Sequence, residues 1–383
     1  MDTIPFHLLM FALDVLLVMG LYAWPSQRST LWGLASIVLF GGIGILGIGV
    51  FAVIFRTNLG QCVVEGLTYH GAAFLLIAGG ILFLKKRRRI AALSAGLGLI
   101  VFGLGFDMLV IEPNSLVVER YAIESPKIKS PLRIVFAADI QTDRIGNHER
   151  RTLRKIMEQN ADLIILGGDY LQVYDHGDRL PKLRTQFTDL LKEIPLKAPL
   201  GAYAINGNID DSTGNDFDAL FKDTGVEPVF DSVLFDNWGA EEKKGPIDLA
   251  LLSMVDSMNG VEDRAYTGSG LFSVMAGHYP VYAIEHYQEV GWAPDLMLAG
   301  HTHGGQFALP FYGPVKIKHA GRDRRIPQRF MTGMITLTNG SRLLVSRGTG
   351  MERGWAPRIR FLCKPEISVI DLLPAPRPEK TTE

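Results

Sequence analysis

Five short segments of this chain carry residues able to bind metal ions or move protons. They are Asp139-Ile140-Gln141, Gly168-Asp169, Gly207-Asn208-Ile209-Asp210, Gly277-His278 and Gly300-His301-Thr302-His303-Gly304-Gly305-Gln306. Together they offer carboxylates, amide oxygens and imidazoles without a thiolate, a donor set that suits Mn, Fe, Zn or Mg. On an extended backbone the alternation in His301-Thr302-His303 sends both imidazoles the same way, and the flanking glycines let the backbone approach closely. Asp139 and Asp169 with three histidines exceed what one catalytic zinc needs, so the set predicts two divalent ions. Singly, each residue has a plainer reading: Asp169 as a turn residue, Asn208 as a helix cap, His278 as a half-buried loop histidine. The ordered set outweighs those readings. Of nine histidines, three fall in these segments; His7 and His70 lie in an apolar region, and His148, His176, His286 and His319 are scattered elsewhere.

Each segment follows or ends a short apolar run. Strands are expected at 133–138, 163–166, 201–205, 249–254, 271–275 and 296–298, with a helix at 150–159. Strands alternating with helices predict an α/β domain, and the carboxyl ends of such strands are where open sheets place ligands.

The rest of the chain is different. Up to Glu112 there are seven Lys/Arg and five Asp/Glu, against 39 and 40 in all 383 residues. Apolar stretches at 6–24, 31–55, 67–84 and 90–111 each have about the length needed to cross a bilayer as a helix. The first starts Met-Asp-Thr-Ile-Pro without a basic leader, which argues against a cleaved signal peptide. Lys85-Lys86-Arg87-Arg88-Arg89 sits between the third and fourth stretches, and basic loops stay cytoplasmic, so everything after residue 111 is expected outside the cytoplasm. Asp14, His70 and Asp107 are among the ionisable residues in or at the edge of these stretches. An interhelical hydrogen bond is the plain reading of Asp14; a transporter would need more spans and internal repeats. The expected organisation is a four-span region at 1–111, a connector at 112–130, an α/β domain at 131–373 and a flexible tail at 374–383. A formal net charge of −1 argues against a nucleic-acid partner, and two cysteines, Cys62 and Cys363, exclude a disulfide framework.

The five segments, in this order, resemble the calcineurin-like metallophosphoesterase superfamily, whose pattern is D-x-H, G-D, G-N-H-[DE], G-H or A-H, then G-H-x-H. The similarity runs from about residue 133 to 372. Phe307-Ala308-Leu309-Pro310, Gly313-Pro314, Val345-Ser346-Arg347-Gly348 and Pro365-Glu366-Ile367 resemble its membrane-associated branch. The resemblance implies a two-sheet α/β sandwich binding two divalent ions, with Mn favoured and Fe, Zn or Mg as alternatives. Asp139, Gln141 and His303 would bind the first ion, Asp169 would bridge, and Asn208, His278 and His301 would hold the second. Asn208 and Asp210 stand at the pattern's catalytic positions. The implied activity is hydrolysis of phosphodiester or pyrophosphate bonds by a metal-bridging hydroxide. The implied setting is an inner-membrane protein with an extracytoplasmic catalytic domain, whose partners are the bilayer and a phosphorylated small-molecule or lipid substrate.

Two positions depart from the pattern. Gln141 replaces a ligating histidine with a weaker, neutral donor; His148 is close in sequence but reads as a solvent-facing loop residue. Ile209 replaces the histidine that protonates the leaving group, a loss worth about 10²–10⁴-fold for poor leaving groups and little for a phosphate. These departures favour pyrophosphates or activated diesters; the alternative they support is a catalytically weak membrane sensor or scaffold. Arg322, Arg324 and Arg325 are candidate phosphate contacts, and Trp355 a candidate membrane-facing residue.

Overall fold

The computed structural model describes residues 4–24, 30–55, 57–173, 178–212, 216–232, 245–259, 270–286, 293–315, 326–352, 354 and 356–375. Arg322, Arg324, Arg325, Trp355, His176, His319 and the tail beyond residue 375 lie outside them. The chain divides into two compact units, Met1–Ile111 with Arg353–Ile359, and Glu112–Glu352 with Arg360–Glu383.

The first unit is helical: α1 (Ile4–Ala23), α2 (Thr30–Ile54), α3 (Leu59–Glu65), a π-helical segment Gly66–Gly71, α4 (Ala72–Leu84) and α5 (Arg88–Phe106). With the π segment, α3 and α4 form one span, so four helices are long and apolar enough to cross a membrane. The third begins at Leu59, eight residues earlier than its apolar run suggests. Asn58 caps it by accepting from Gln61 N at 3.0 Å, and the polar Gln61 and Glu65 find partners inside the unit. Small residues let α4 and α5 close together: a side chain on Gly79 would meet Ala91 and Ala95, and one on Gly98 would meet Ala72, Leu75 and Leu76. Lys85, in the basic turn, donates to the α1-terminal carbonyls of Tyr22 and Trp24 at 2.6 and 2.8 Å.

The second unit is a two-sheet sandwich. In chain order its elements are β1 (Val117–Ser125), β2 (Leu132–Ala137), α6 (Asn147–Met157), β3 (Leu163–Leu166), α7 (Arg179–Glu193), β4 (Ala202–Ile205), α8 (Asn208–Ser212), α9 (Phe217–Phe221) and β5 (Glu227–Val229). There follow β6 (Ile247–Leu251), α10 (Met254–Asn259), β7 (Phe272–Gly277), β8 (Leu296–Ala299), β9 (Ala308–Leu309), β10 (Gly313–Pro314), β11 (Gly333–Thr336), β12 (Arg342–Val345) and β13 (Glu366–Pro374). One sheet has the order β1-β13-β2-β3-β4-β5, the other β11-β12-β8-β7-β6. Their facing sides share a core including Ile134, Phe136, Ile165, Leu249, Val274, Leu298 and Leu344. Each such buried side chain contributes roughly 1.5–3 kcal/mol of burial free energy. On the other face of the first sheet, Val135, Ile164 and Leu166 pack against Leu153, Ile156, Phe187 and Phe221 of the helices.

Residues 112–130, read from the sequence as a connector, belong to this unit. β1 pairs in parallel with β13 from Val117 to Ser125. It is an edge strand with exposed or half-buried side chains over most of its length, so it lacks the apolar run that marks the other strands. Parallel pairing of β2, β3 and β4, and of β7 and β8, points their carboxyl ends the same way within each sheet. All the predicted site segments leave from those ends.

Candidate metal centre

The turns after β2 and β3 are bonded to one another: Asp139 N donates to Gly168 O at 2.9 Å and Gln141 N to Asp169 O at 2.8 Å. Asp139, Gln141, Asp169, His301, His303 and Gln306 all have left-handed backbones, with φ between 40° and 69°. Each such residue costs on the order of 1–3 kcal/mol and persists where its surroundings over-determine it. Here the surroundings are glycines. A side chain on Gly350 would sit 1.9 Å from Ile140 O, and one on Gly207 would sit 2.2 Å from Asp169 Oδ1.

The expected extended geometry of residues 301–303 does not hold. His301 and His303 are both left-handed, and His303 starts a 3₁₀ turn that ends at Gly305. The two imidazoles reach different partners: His301 Nδ1 lies 2.9 Å from Asn208 Oδ1, and His303 Nε2 lies 3.8 Å from Asp139 Oδ1. The turn also aims the His301 amide at both oxygens of Asp139, at 3.1 Å.

His278 is fully buried. Its Nδ1 lies 2.8 Å from Gly167 O, and because a carbonyl only accepts, Nδ1 carries a proton. Nε2 then faces Asn208 Oδ1 at 3.1 Å and Asp169 Oδ2 at 3.4 Å. A ring nitrogen facing two oxygens needs either its own proton or a cation shared with them. Without a cation the proton is held tightly: burial lowers the His278 pKa, but Asp169 and Asp139 outweigh it and raise it to about 10. Asp139 is pushed up to about 7 by burial and by Asp169, against the pull of His278, the His301 amide and Arg360. At Asp169 burial is outweighed by His278, and the net shift is downward. His303 is held well below the usual imidazole range by burial and Arg360, and its buried Nδ1 has no hydrogen-bond partner. Asp139, Asp169 and His278 bring ligand atoms within 4.8 Å of one another. Paired buried carboxylates, a neutral imidazole and a nitrogen aimed at two oxygens fit divalent cations.

Gln141 is held by a residue with no part in the sequence motifs. Its Nε2 donates to Glu352 Oε2 at 3.0 Å, while Gln172 Nε2 donates to Glu352 Oε1 at 2.7 Å. Asp210 is fully enclosed and accepts from the amides of Asp169, Tyr170 and Gly207 at 2.8–3.0 Å, so its carboxylate ties two strand-end turns together. Burial and the neighbouring Asp169 push its pKa up to about 7. Ile209 is buried, and its amide donates to Asp169 Oδ1 at 2.8 Å. His148 is half-buried in the first turn of α6, with Nε2 2.7 Å from Thr349 O; it is neither solvent-facing nor in a loop. Arg360 is fully buried and donates to the carbonyls of Arg347, Gly348, Gly350 and Cys363, which shapes the turn packed against Asp139. Neither Glu352 nor Arg360 carries a sequence signal beyond its nearness to Gly348 and Gly350.

The sequence pattern described as calcineurin-like phosphoesterase matches residues 132–305. YkuE of Bacillus subtilis, an uncharacterised metallophosphoesterase, is 30% identical over 294 residues, spanning 73% of this chain and 93% of its own. The phosphodiesterase YaeI of Escherichia coli is 27% identical over 297 residues, spanning 75% and 99%. An uncharacterised metallophosphoesterase of Aquifex aeolicus is 24% identical over 275 residues, spanning 68% and 94%.

Proposed function

From its place in the calcineurin-like phosphoesterase family, to which the chain belongs as a hydrolase of phosphoester bonds, we propose that it cleaves phosphodiester or pyrophosphate bonds of a lipid-linked substrate using two divalent ions. The observation that carries this reading is the convergence of His278 Nε2, Asn208 Oδ1, Asp169 Oδ2 and His301 Nδ1 within hydrogen-bonding range or nearly so. Asp169, Asn208, His278 and His301 would hold one ion, and Asp139, Gln141, Asp169 and His303 the other, with Mn the leading candidate. Bound there, the ions supply Lewis acidity at phosphorus and activate water as the nucleophile.

The chain's own residues do the positioning. The Gly167 carbonyl fixes the His278 tautomer, which leaves Nε2 as the ligand atom. Asp210 keeps the turns bearing Asp169 and Asn208 in register through its three backbone bonds, a positioning role rather than acid–base chemistry. Ile209 cannot protonate a leaving group, which favours substrates whose leaving group is already a stable anion. The scaffold reading rests on Gln141 and Ile209; the seating of Gln141 on Glu352 favours the catalytic one.

Two observations support a membrane setting and an apolar substrate. Leu8, Phe11, Leu16 and Met19 of α1, and Leu93, Leu99 and Ile100 of α5, point outward and suit hydrocarbon. The hairpin of β9 and β10, directly after the Gly300–Gln306 segment, exposes Leu309, Phe311 and Tyr312. The basic turn 85–89, of the kind that stays cytoplasmic, supports an extracytoplasmic catalytic unit.

The test is turnover by the full-length protein with Mn on an activated phosphodiester, a sugar-nucleotide pyrophosphate and an alkyl monoester. Hydrolysis of the first two is expected. No turnover of any of them in any divalent ion would favour the scaffold. A reporter fused after residue 383 is expected to be active only outside the cytoplasm, and a cytoplasmic signal would overturn the localisation.

A further inference from the structure

Four ionisable side chains of the helical unit form one line. Asp14 Oδ2 lies 2.6 Å from His70 Nδ1 and His70 Nε2 lies 3.0 Å from His7 Nδ1, both in hydrogen-bond geometry. His7 Nε2 lies 3.1 Å from Glu65 Oε2 as an ion-pair approach without hydrogen-bond alignment. Gln61 Nε2 extends it by donating to Glu65 Oε1, and Arg358 N donates to Gln61 Oε1 at 2.6 Å. The two imidazoles are stacked, with ring centroids 5.3 Å apart, and Phe6 and Tyr69 pack edge-on around them.

The helices are shaped to make this line. His7 and Asp14 are seven residues apart on α1, about two turns, and so share a face. Glu65 and His70 are five apart, which a regular α-helix would place about 140° apart around its axis. The Gly66–Gly71 segment is π-helical instead, and its wider winding brings both onto the side of His7. Such insertions cluster at functional sites. Ionisable groups inside a bilayer are costly, and lines of carboxylate and imidazole there mark proton paths. Phosphoester hydrolysis at the strand ends makes no use of these residues.

We infer that Glu65, His7, His70 and Asp14 form a proton relay between the Gln61 end of the helical unit and the middle of α1, an inference that rests on the membrane placement proposed above. Proton counting carries it. The line has two hydrogen bonds and one ion-pair approach that a turn of the Glu65 carboxyl aligns, and three protons fill the three junctions in two equivalent ways. In one, Glu65 is the acid and both rings are protonated at Nδ1. In the other, Asp14 is the acid and both rings are protonated at Nε2. Passage between them moves one proton from Glu65 to His7 Nε2, one from His7 Nδ1 to His70 Nε2, and one from His70 Nδ1 to Asp14. Three bonds form and three break, no net charge is left on either ring, and no oxidant or reductant is needed.

The test is nitrogen NMR of the full-length protein with isotope-labelled histidine in phosphatidylethanolamine–phosphatidylglycerol nanodiscs. His7 and His70 are assigned by the signals lost in His7→Gln and His70→Gln. Expected are scalar coupling across the His7 Nδ1–His70 Nε2 contact and an exchanging mixture of tautomers in both rings. Asp14→Asn then shifts the tautomer balance of His7, two links away, and Glu65→Gln shifts that of His70 from the other end, so that either variant suffices if the other does not fold. Rings fixed in single tautomers that neither substitution moves would overturn the relay. Alkaline carbonate extraction separates the two readings. Protein released by it overturns the membrane placement and the relay with it; protein that is retained but has fixed tautomers overturns the relay alone.

Discussion

Gln141 Nε2 donates to Glu352 Oε2 at 3.0 Å, joining residues 211 apart in sequence. A carboxylate only accepts, so this bond decides which end of the Gln141 amide is nitrogen and leaves Oε1 as the end available to a cation. Gln172 braces the other carboxylate oxygen, and the Glu352 amide is fixed by Gln306 Oε1 at 2.6 Å. The side chain proposed as a weak ligand at position 141 is thus a held one.

Removing that hold is expected to cost metal affinity. In Glu352→Ala, one of the two ions should bind about 10–100-fold more weakly, the usual loss when a ligand's supporting partner is removed. Calorimetric titration with Mn reads it directly. Two unchanged affinities would mean that Gln141 is no ligand.

Arg360→Met removes the donor shared by four backbone carbonyls in a fully buried position. Stranding those carbonyls should destabilise the fold by about 3 kcal/mol or more. Denaturant unfolding checks this, with turnover falling alongside because the same turn packs against Asp139. A change under about 0.5 kcal/mol would place Arg360 among inert surface positions.

Protons and metal compete for the site. Burial and Asp169 raise Asp139 to about 7, and Asp169 and Asp139 raise His278 to about 10 against the effect of burial. Both groups therefore hold protons more tightly in the metal-free fold than in the unfolded chain. The stability this gives is present at low pH, and is lost as pH rises through about 7 and then about 10. A cation takes the protons' place, so metal binding should release protons and strengthen as pH rises towards 7 and beyond. Melting temperatures with and without Mn, measured on either side of neutrality, should diverge more on the alkaline side. A gap independent of pH would contradict this.

Ile209 sets an expectation for substrates. An alkyl monoester should be turned over about 10²–10⁴-fold more slowly than a pyrophosphate diester, the usual worth of a positioned acid. Equal rates would show that another group protonates the leaving oxygen.

The candidate ligand positions are legible in the sequence because each stands just past an apolar run. Most runs mark their strands closely: β2 spans 132–137 where 133–138 is expected, whereas β6 spans 247–251 where 249–254 is expected. Other features depend on distant pairing. β1 is defined by hydrogen bonds to β13, more than 240 residues away, rather than by its own alternation. Glu352 and Arg360 act on residues far off in the chain or on bare backbone, and neither leaves a local pattern. The left-handed turns at His301 and His303 are imposed by packing against Asp139 and Asn208, which an extended template misses. In the helical unit Asp14 and His70 stand out as ionisable groups in apolar runs, but His7 and Glu65 sit near helix ends, and only the π segment brings all four into line.

The strand-end cluster is proposed above as a two-metal hydrolytic centre bridged by Asp169. Bound Mn per chain, measured together with phosphodiester turnover in the wild type and in Asp169→Asn, tests it most directly. The expected result is two ions and turnover in the wild type, with both lost in the variant. A variant that keeps both ions and its turnover, or a wild type that binds no divalent ion, would contradict it.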